Sequence, residues 1–300
     1  MQTIEAVPNI SEGRQPLVLD KLATAVNRVK HVALLDLSSD ISHNRSVLTL
    51  LGCPESVLQA LTNLYEITTS QIDLRTHRGV HPRIGAIDVV PFIPIHNASM
   101  DDCKQLSRQL AADVASRFSI PVFLYGEAAE QHERRALENI RRGQFEGLTQ
   151  KMKDDHWAPD FGPPQPHPSA GASAIGARGP LIAFNVNLKT DNLTVARQIA
   201  ATIRARNGGL AHVKALGFEL PHRGLVQVSV NLTNYRITPL YRVFTTVEME
   251  AKKLHVEIAD SEIVGLVPQE AISDRTIQRL RLKDFSSSKI LETQQLAKSR

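Results

Sequence analysis

Cysteine is nearly absent from this chain, aromatics are few, and no long apolar run occurs; each shortage removes a class of protein. Cys53 and Cys103 are the two cysteines. Two cannot build a disulfide framework, so a reducing, cytoplasmic setting is expected. No apolar stretch approaches the roughly 18 residues needed to cross a bilayer, so no membrane partner is expected. Met1–Val7 lacks a basic region followed by an apolar one, and no secretory leader is expected. Aromatics make up 5% of the residues and no nucleic-acid-binding motif stands out, which argues against a nucleic-acid partner. Charge of one sign is also scarce. The formal net charge is +4, and Asp274–Arg300 holds seven basic and three acidic residues, so residues 1–273 are formally neutral. That basic, serine-containing tail is expected to be a solvated or frayed end.

What remains is an ordinary soluble composition, 42% hydrophobic and 22% charged, in 300 residues. That length allows one large domain or two of usual size. Hydrophobic periodicity predicts a strand over Ile4–Ile10, a helix near Pro16–Arg28, strands over His31–Leu37 and Arg45–Leu51, and a helix from Pro54 to Ile72. A strand over Ala86–Ile95, a helix near Met100–Phe118 and a strand over Val122–Tyr125 follow. Residues Ala158–Pro180 contain six of the sixteen prolines and four glycines. Regular structure is not expected there; the segment reads as a linker or a long functional loop.

The pattern then restarts. Leu181–Leu188 alternates, Thr190-Asp191-Asn192 supplies caps for a helix to about Arg206, and Val213–Leu220 and Leu225–Leu232 read as a hairpin. A helix near Pro239–Leu254 and a strand over Ile258–Val264 complete a strand-helix-strand-strand-helix-strand order. The opening of the first half has the same order, with an extra strand-helix pair, so the fold class expected is α+β, with two ferredoxin-like (split βαβ) subdomains, residues 1–179 and 180–300.

The chemistry-bearing stretch is His77-Arg78-Gly79-Val80-His81-Pro82-Arg83-Ile84-Gly85, a loop leading into the apolar strand. It offers proton-transfer and anion-binding groups. On a helix, His77 and His81 would share a face and could hold a metal. Gly79 and Pro82 disfavour a helix and no third ligand is nearby, so no metal is expected. Each histidine is either a catalytic group or a loop residue bonded to backbone. Asp40-Ile41-Ser42-His43-Asn44-Arg45 is a second polar cluster, readable also as a plain turn. Ser11, in Val7–Arg14, reads as a helix cap, and its helix N-terminus could also face an anion. Glu127 reads as a site acid or a first-turn acid. The small-residue run Gly171–Gly179 lacks the features of a phosphate loop, and Ser173 lacks a nucleophile elbow.

Taken together, several segments resemble the formiminotransferase family, the glutamate formimidoyltransferases. They are Val7–Arg14, Asn44-Arg45, His81–Pro94, Tyr125–Ala128, Trp157–Pro163, Gly176–Arg178 and Leu181–Leu188, in the family's order. The resemblance is to the stand-alone transferase, without the cyclodeaminase domain of animal enzymes. It implies transfer of a formimino group from N-formimino-L-glutamate to N5 of tetrahydrofolate as co-substrate, and a substrate groove between the subdomains. It places the catalytic histidine on His81. The folate-binding stretch falls on Gly162, Pro163, Pro164, Gln165, Pro166, His167, Pro168, Ser169, Ala170 and Gly171.

The chemistry fits those residues. N5 must lose a proton and the departing glutamate nitrogen must gain one, which suits an imidazole shuttle at His81. Arg45, Arg83 and Arg178 are candidate partners for the substrate carboxylates. Two positions depart from the animal pattern. Val80 stands where animal members carry an acidic residue, which keeps an N-formylglutamate donor open as an alternative. Ser38 stands where they carry an assisting aspartate; Asp40, two residues on, is the candidate for that role, with a different assisting acid as the alternative. The readings from other classes are a non-catalytic folate- or anion-binding protein and a metal hydrolase. A homodimer is left open.

Overall fold

The computed structural model describes residues 2–283 and 285–298. It divides into two compact units, Met1–Arg178 and Gly179–Arg300. In the first, β1 (Thr3–Ala6) and β2 (Asn9–Ile10) form one strand interrupted at Val7-Pro8. There follow α1 (Pro16–Asn27), β3 (Val32–Asp40), β4 (Arg45–Gly52), α2 (Pro54–Gln71), β5 (Ile87–His96), α3 (Met100–Phe118), β6 (Val122–Gly126), α4 (Leu137–Arg141), α5 (Gln144–Lys151) and β7 (Ser173–Ala177). The interrupted strand lies between β4 and β5, antiparallel to both, with β3 outside β4. β7 then pairs in parallel with β5 and with β6. The interrupted strand, α1, β3, β4, α2 and β5 reproduce the expected βαββαβ order. The parallel pair β7 and β6 extends it.

The local chemistry explains the helices. Pro16 and Pro54 open α1 and α2, where a missing N–H costs nothing. α3 starts with a capping box between Ser99 and Asp102. α2 buries Val57, Leu61, Leu64 and Tyr65 against one sheet face, and each full burial of an aliphatic side chain contributes about 1.5–3 kcal/mol. A smaller apolar cluster on Val89, Phe123, Tyr125 and Ala174 gathers Ile140 and Leu148 of α4 and α5 on the opposite face.

Two expectations are corrected. Ala158–Pro180 is not devoid of regular structure, because it contains β7, a strand buried between β5 and β6. Its small residues fit a crowded centre: an added Cβ on Gly176 would lie 2.1 Å from the Tyr125 carbonyl oxygen. The basic tail is not frayed over its described part. Leu280 is fully buried, Ile290 joins the core of the second unit, and Ser261 N–H donates to the Arg281 carbonyl at 3.0 Å. Asp284, Ser299 and Arg300 of that tail lie outside the described residues.

The second unit comprises β8 (Ile182–Leu188), α6 (Leu193–Ile203), β9 (Val213–Leu220), β10 (Leu225–Leu232), α7 (Leu240–Lys253), β11 (Ile258–Val264), α8 (Asp274–Arg279) and α9 (Leu291–Lys298). Its antiparallel order β11-β8-β10-β9 is the split βαβ arrangement read from the sequence. Asn192 caps α6, accepting from Thr194 N–H at 3.0 Å. Phe184, Val186, Val226 and Val228 face the helices. The alternate residues Asn185, Asn187 and Gln227 make a polar opposite face, hydrogen-bonded to Asp260 and Glu262.

Candidate active site

The His77–Gly85 loop is fastened to the β3–β4 turn by Asn44. That residue sits in the left-handed region at φ 47°, which a short amide side chain tolerates. Its Oδ1 accepts from Gly13 N–H at 3.0 Å and its Nδ2 donates to the Arg78 carbonyl at 3.0 Å. Val80 N–H reaches the Ser42 carbonyl at 3.3 Å. Gly79 permits this approach, since an added Cβ would lie 2.2 Å from the His43 carbonyl oxygen. The result is a small cavity lined by Asn9, Ser11, His43, Arg45, His77, His81 and Asp88, among others.

The two loop histidines have different roles. Arg83 Nε donates to His77 Nδ1 at 3.3 Å, which leaves Nε2 as the protonated nitrogen, 2.9 Å from the Asn44 carbonyl. Both ring nitrogens are thus committed to holding the loop, and burial lowers the His77 pKa. His81 is half-buried, more exposed than His77, and sits in a field of positive charge. Burial, then Arg45, Arg141 and His43, push its pKa well below the ordinary imidazole value. At neutral pH it is a neutral base.

Arg45 is held by the Asn9 side-chain oxygen, and its Nε is buried without a hydrogen-bond partner. An orphaned guanidinium donor is costly unless an acceptor reaches it. Burial, then repulsion from Arg141, lowers the Arg45 pKa to about 10, against attraction from Asp88 and Asp40. Asp88 balances these cations. Its carboxylate receives Ile84 N–H at 2.7 Å and Arg141 Nε at 2.9 Å, and its side chain is 3% exposed. Further along the same sheet, Arg178 hydrogen-bonds the Tyr125 hydroxyl, and its charge bears on buried Glu5.

Of the other residues singled out from the sequence, Asp40 faces His43, with Oδ1 3.0 Å from Nδ1. Burial opposes its ionisation, but hydrogen bonds from the His43 side chain and backbone outweigh that and hold its pKa low. Ser38 donates to Asp36 at 2.6 Å. Arg83 is clamped by Glu146 through two bonds of 2.8 and 2.7 Å, so its fork already holds a carboxylate. Ser11 is not the helix cap: its hydroxyl donates to the Gly85 carbonyl at 2.7 Å. Glu12 instead receives Arg14 N–H at 2.7 Å and Gln15 N–H at 3.0 Å, so the start of α1 already carries an anion. Glu127 pairs with Arg135, and Ser173 is buried against Tyr65.

Gly162–Gly171 spans the approach to β7. Pro164, Gln165 and Pro168 are exposed, while Ala170 and Gly171 are buried. Its end is tied to the end of the histidine loop: Ala86 N–H donates to Ala170 O, and Ala172 N–H to Ile84 O, both at 2.9 Å. The residues missed from the sequence are Asp88 and Arg141. A lone acid inside an apolar strand was the available signal for Asp88. Arg141 lies on a short helix that periodicity does not reveal.

Comparison with known proteins covers nearly all of the chain. Residues 3–178 match the model of the formiminotransferase domain, N-terminal subdomain, and residues 183–295 match that of the formiminotransferase domain. A glutamate formimidoyltransferase of Streptococcus pyogenes serotype M1 is 43% identical over 290 residues, covering 96% of this chain and 97% of that protein. A glutamate formimidoyltransferase of Thermoplasma acidophilum is 44% identical over 294 residues, 97% of each. The formimidoyltransferase-cyclodeaminase of Rattus norvegicus is 39% identical over 91% of this chain but 51% of its own length.

Proposed function

The chain belongs to the formiminotransferase family, and from that premise we propose that it is a glutamate formimidoyltransferase in which His81 moves the proton. The reaction passes the formimino group of N-formimino-L-glutamate to N5 of tetrahydrofolate. N5 attacks the amidine carbon and a tetrahedral intermediate forms. The bond from that carbon to the glutamate nitrogen then breaks, leaving 5-formiminotetrahydrofolate and glutamate. The N5 proton goes to His81 and returns to the departing nitrogen, so the enzyme ends unchanged.

The observation that carries this reading is that His81 lines one small cavity with Arg45, a guanidinium with a buried, unfilled donor, in an environment that lowers the imidazole pKa through burial first and Arg45 and Arg141 next. A neutral imidazole accepts the N5 proton directly. Arg45 is the substrate-carboxylate partner the site favours, with Arg178 as a second. Arg83, already on Glu146, holds the loop instead. The exposed part of Gly162–Gly171 is the proposed folate wall, tied through Ala170 to the strand that follows His81. Positioning both substrates supplies much of the rate.

The test is a coupled assay of tetrahydrofolate with formiminoglutamate and, in parallel, formylglutamate. Transfer from formiminoglutamate is expected. His81→Ala loses turnover by about 10²-fold or more while folate binding persists. Absence of transfer from either donor, or an active His81→Ala, overturns the assignment.

A further inference from the structure

Glu5 is a buried acid whose carboxyl has no hydrogen-bond partner among the described residues. It lies on β1 between Ile4 and Ala6, both of which join the core that α2 covers. Strand alternation therefore turns Glu5 to the opposite face. Glu5 pairs with Ile93 of β5, and Arg178, whose N–H donates to the Phe92 carbonyl at 3.1 Å, continues that row across the sheet. The Arg178 side chain bonds the Tyr125 hydroxyl and acts on Glu5 through charge alone. Burial outweighs that attraction and raises the Glu5 pKa to about 7. A carboxyl stripped of water and given no donor destabilises the fold. It is not sealed off, since Glu5 keeps 9% of its surface exposed. What the carboxyl lacks is a pair of N–H donors, one for each oxygen.

We propose that Glu5 receives the pterin edge of tetrahydrofolate, its carboxylate accepting N3–H and one N–H of the 2-amino group. The proposal rests on the transferase reading above, with N5 at His81. An N–C–N pair of donors also occurs in the formimino group, and the span of the site separates the two.

Asn9, which lines the cavity with His81, stands opposite Val89 of β5, as Glu5 stands opposite Ile93. Those rows lie four residues apart on β5, or about 13 Å at about 3.3 Å per residue. In a pterin, bonds of about 1.4 Å put the 2-amino nitrogen about 5.5 Å from N5. A hydrogen bond of about 2.9 Å at each end extends the reach to about 11 Å, and a glutamate side chain leaning along the strand covers the rest. The two formimino nitrogens are about 2.3 Å apart, so the same bonds span only about 8 Å. The pterin edge fits Glu5, and the formimino carbon belongs nearer His81.

The test compares wild type with Glu5→Gln at pH 8, above the value of about 7 at which Glu5 titrates. The substitution keeps the shape and removes a buried charge, so the variant should melt no lower than wild type at that pH. Its Kd for tetrahydrofolate is expected to rise by about tenfold or more, for loss of a charged hydrogen-bond pair, with KM for formiminoglutamate within about twofold. A second ligand carries hydrogen in place of the 2-amino group. Wild type should bind tetrahydrofolate about tenfold or more tighter than this analogue, and Glu5→Gln should bind the two within about twofold. A merely structural Glu5 would move both ligands together. A wild type that binds the two alike overturns the proposal without any variant, as does unchanged tetrahydrofolate affinity in Glu5→Gln. A rise in KM for formiminoglutamate alone overturns it in favour of the formimino group. Glu5-dependent binding without transfer from either donor leaves the subsite standing and sinks the transferase reading. Transfer with Glu5-independent binding does the reverse.

Discussion

Single side chains here are tuned by burial first and neighbouring charge second, and both leave measurable traces. Burial lowers the His81 pKa most, and Arg45 adds to it. Arg45→Gln removes one repelling cation, so His81 protonates at higher pH. The acid limb of kcat/KM then moves up in pH, and KM for formiminoglutamate rises by about tenfold or more for loss of a charged hydrogen bond. A limb that stays put or moves down in a pH–rate profile would contradict this electrostatic account. Glu5 shows the opposite sign. Burial raises its pKa from 4.5 to about 7, against the attraction of Arg178. The folded protein therefore holds a proton that the unfolded chain has released. Stability from this group is complete below pH 4.5 and declines as pH rises through about 7. Glu5→Gln should thus stabilise the protein at pH 8, by up to about 3 kcal/mol, and change little at pH 4. Denaturant melts at the two pH values measure it; equal effects at both would remove the linkage.

Between elements, the site depends on how close two turns can approach. Gly79 lets the histidine loop lie on the β3–β4 turn, where an added Cβ would meet the His43 carbonyl at 2.2 Å. Gly79→Ala must lift the loop and displace His81, and about 1 Å of misplacement costs on the order of 10²-fold in rate. Single-turnover kinetics should show that loss with the melting temperature changed by only a few degrees. Wild-type turnover would mean that the loop seat is soft. The same scale shows what the sequence conveyed. Helices α2 and α3 and strands β5 and β8 were legible because their apolar period is long and their caps are local. β7 was hidden because a buried parallel strand of Ser, Ala, Ile, Gly and Ala has no alternation, and prolines precede it. In the candidate site, His81 and Arg45 stand out by motif and residue type, and the structure sets both on one small cavity. That Asp40 serves His43, and that Arg83 is already occupied by Glu146, depends on side-chain partners fixed by tertiary packing.

At the scale of the whole chain, the repeated βαββαβ order means that each unit solves its own packing problem. The second unit has a core of its own, from Ile182 on β8 to Ile290 near the C-terminus, and its tail closes it through Val267 N–H to Lys289 O at 2.9 Å. Its sheet buries Phe184, Val186, Val226 and Val228 under α6 and α7. The opposite face bears Asn185, Asn187, Gln227 and Glu262, amides and a carboxylate that water also satisfies. A unit with one apolar face covered by its own helices and one polar face needs no second apolar surface to fold. Residues 179–300 expressed alone should therefore unfold in one cooperative transition with native-like circular dichroism, at a melting temperature below that of the whole protein. The tail makes the sharper test. Ending that piece before residue 280 removes fully buried Leu280 and the strand-like contacts of Ile290 with Val267. Loss of a buried leucine alone costs about 2–5 kcal/mol, much of the stability of a domain this size. The shortened piece should lose its cooperative transition. If it melts like the longer one, the tail is dispensable to the core, and the sequence reading of a solvated end is restored.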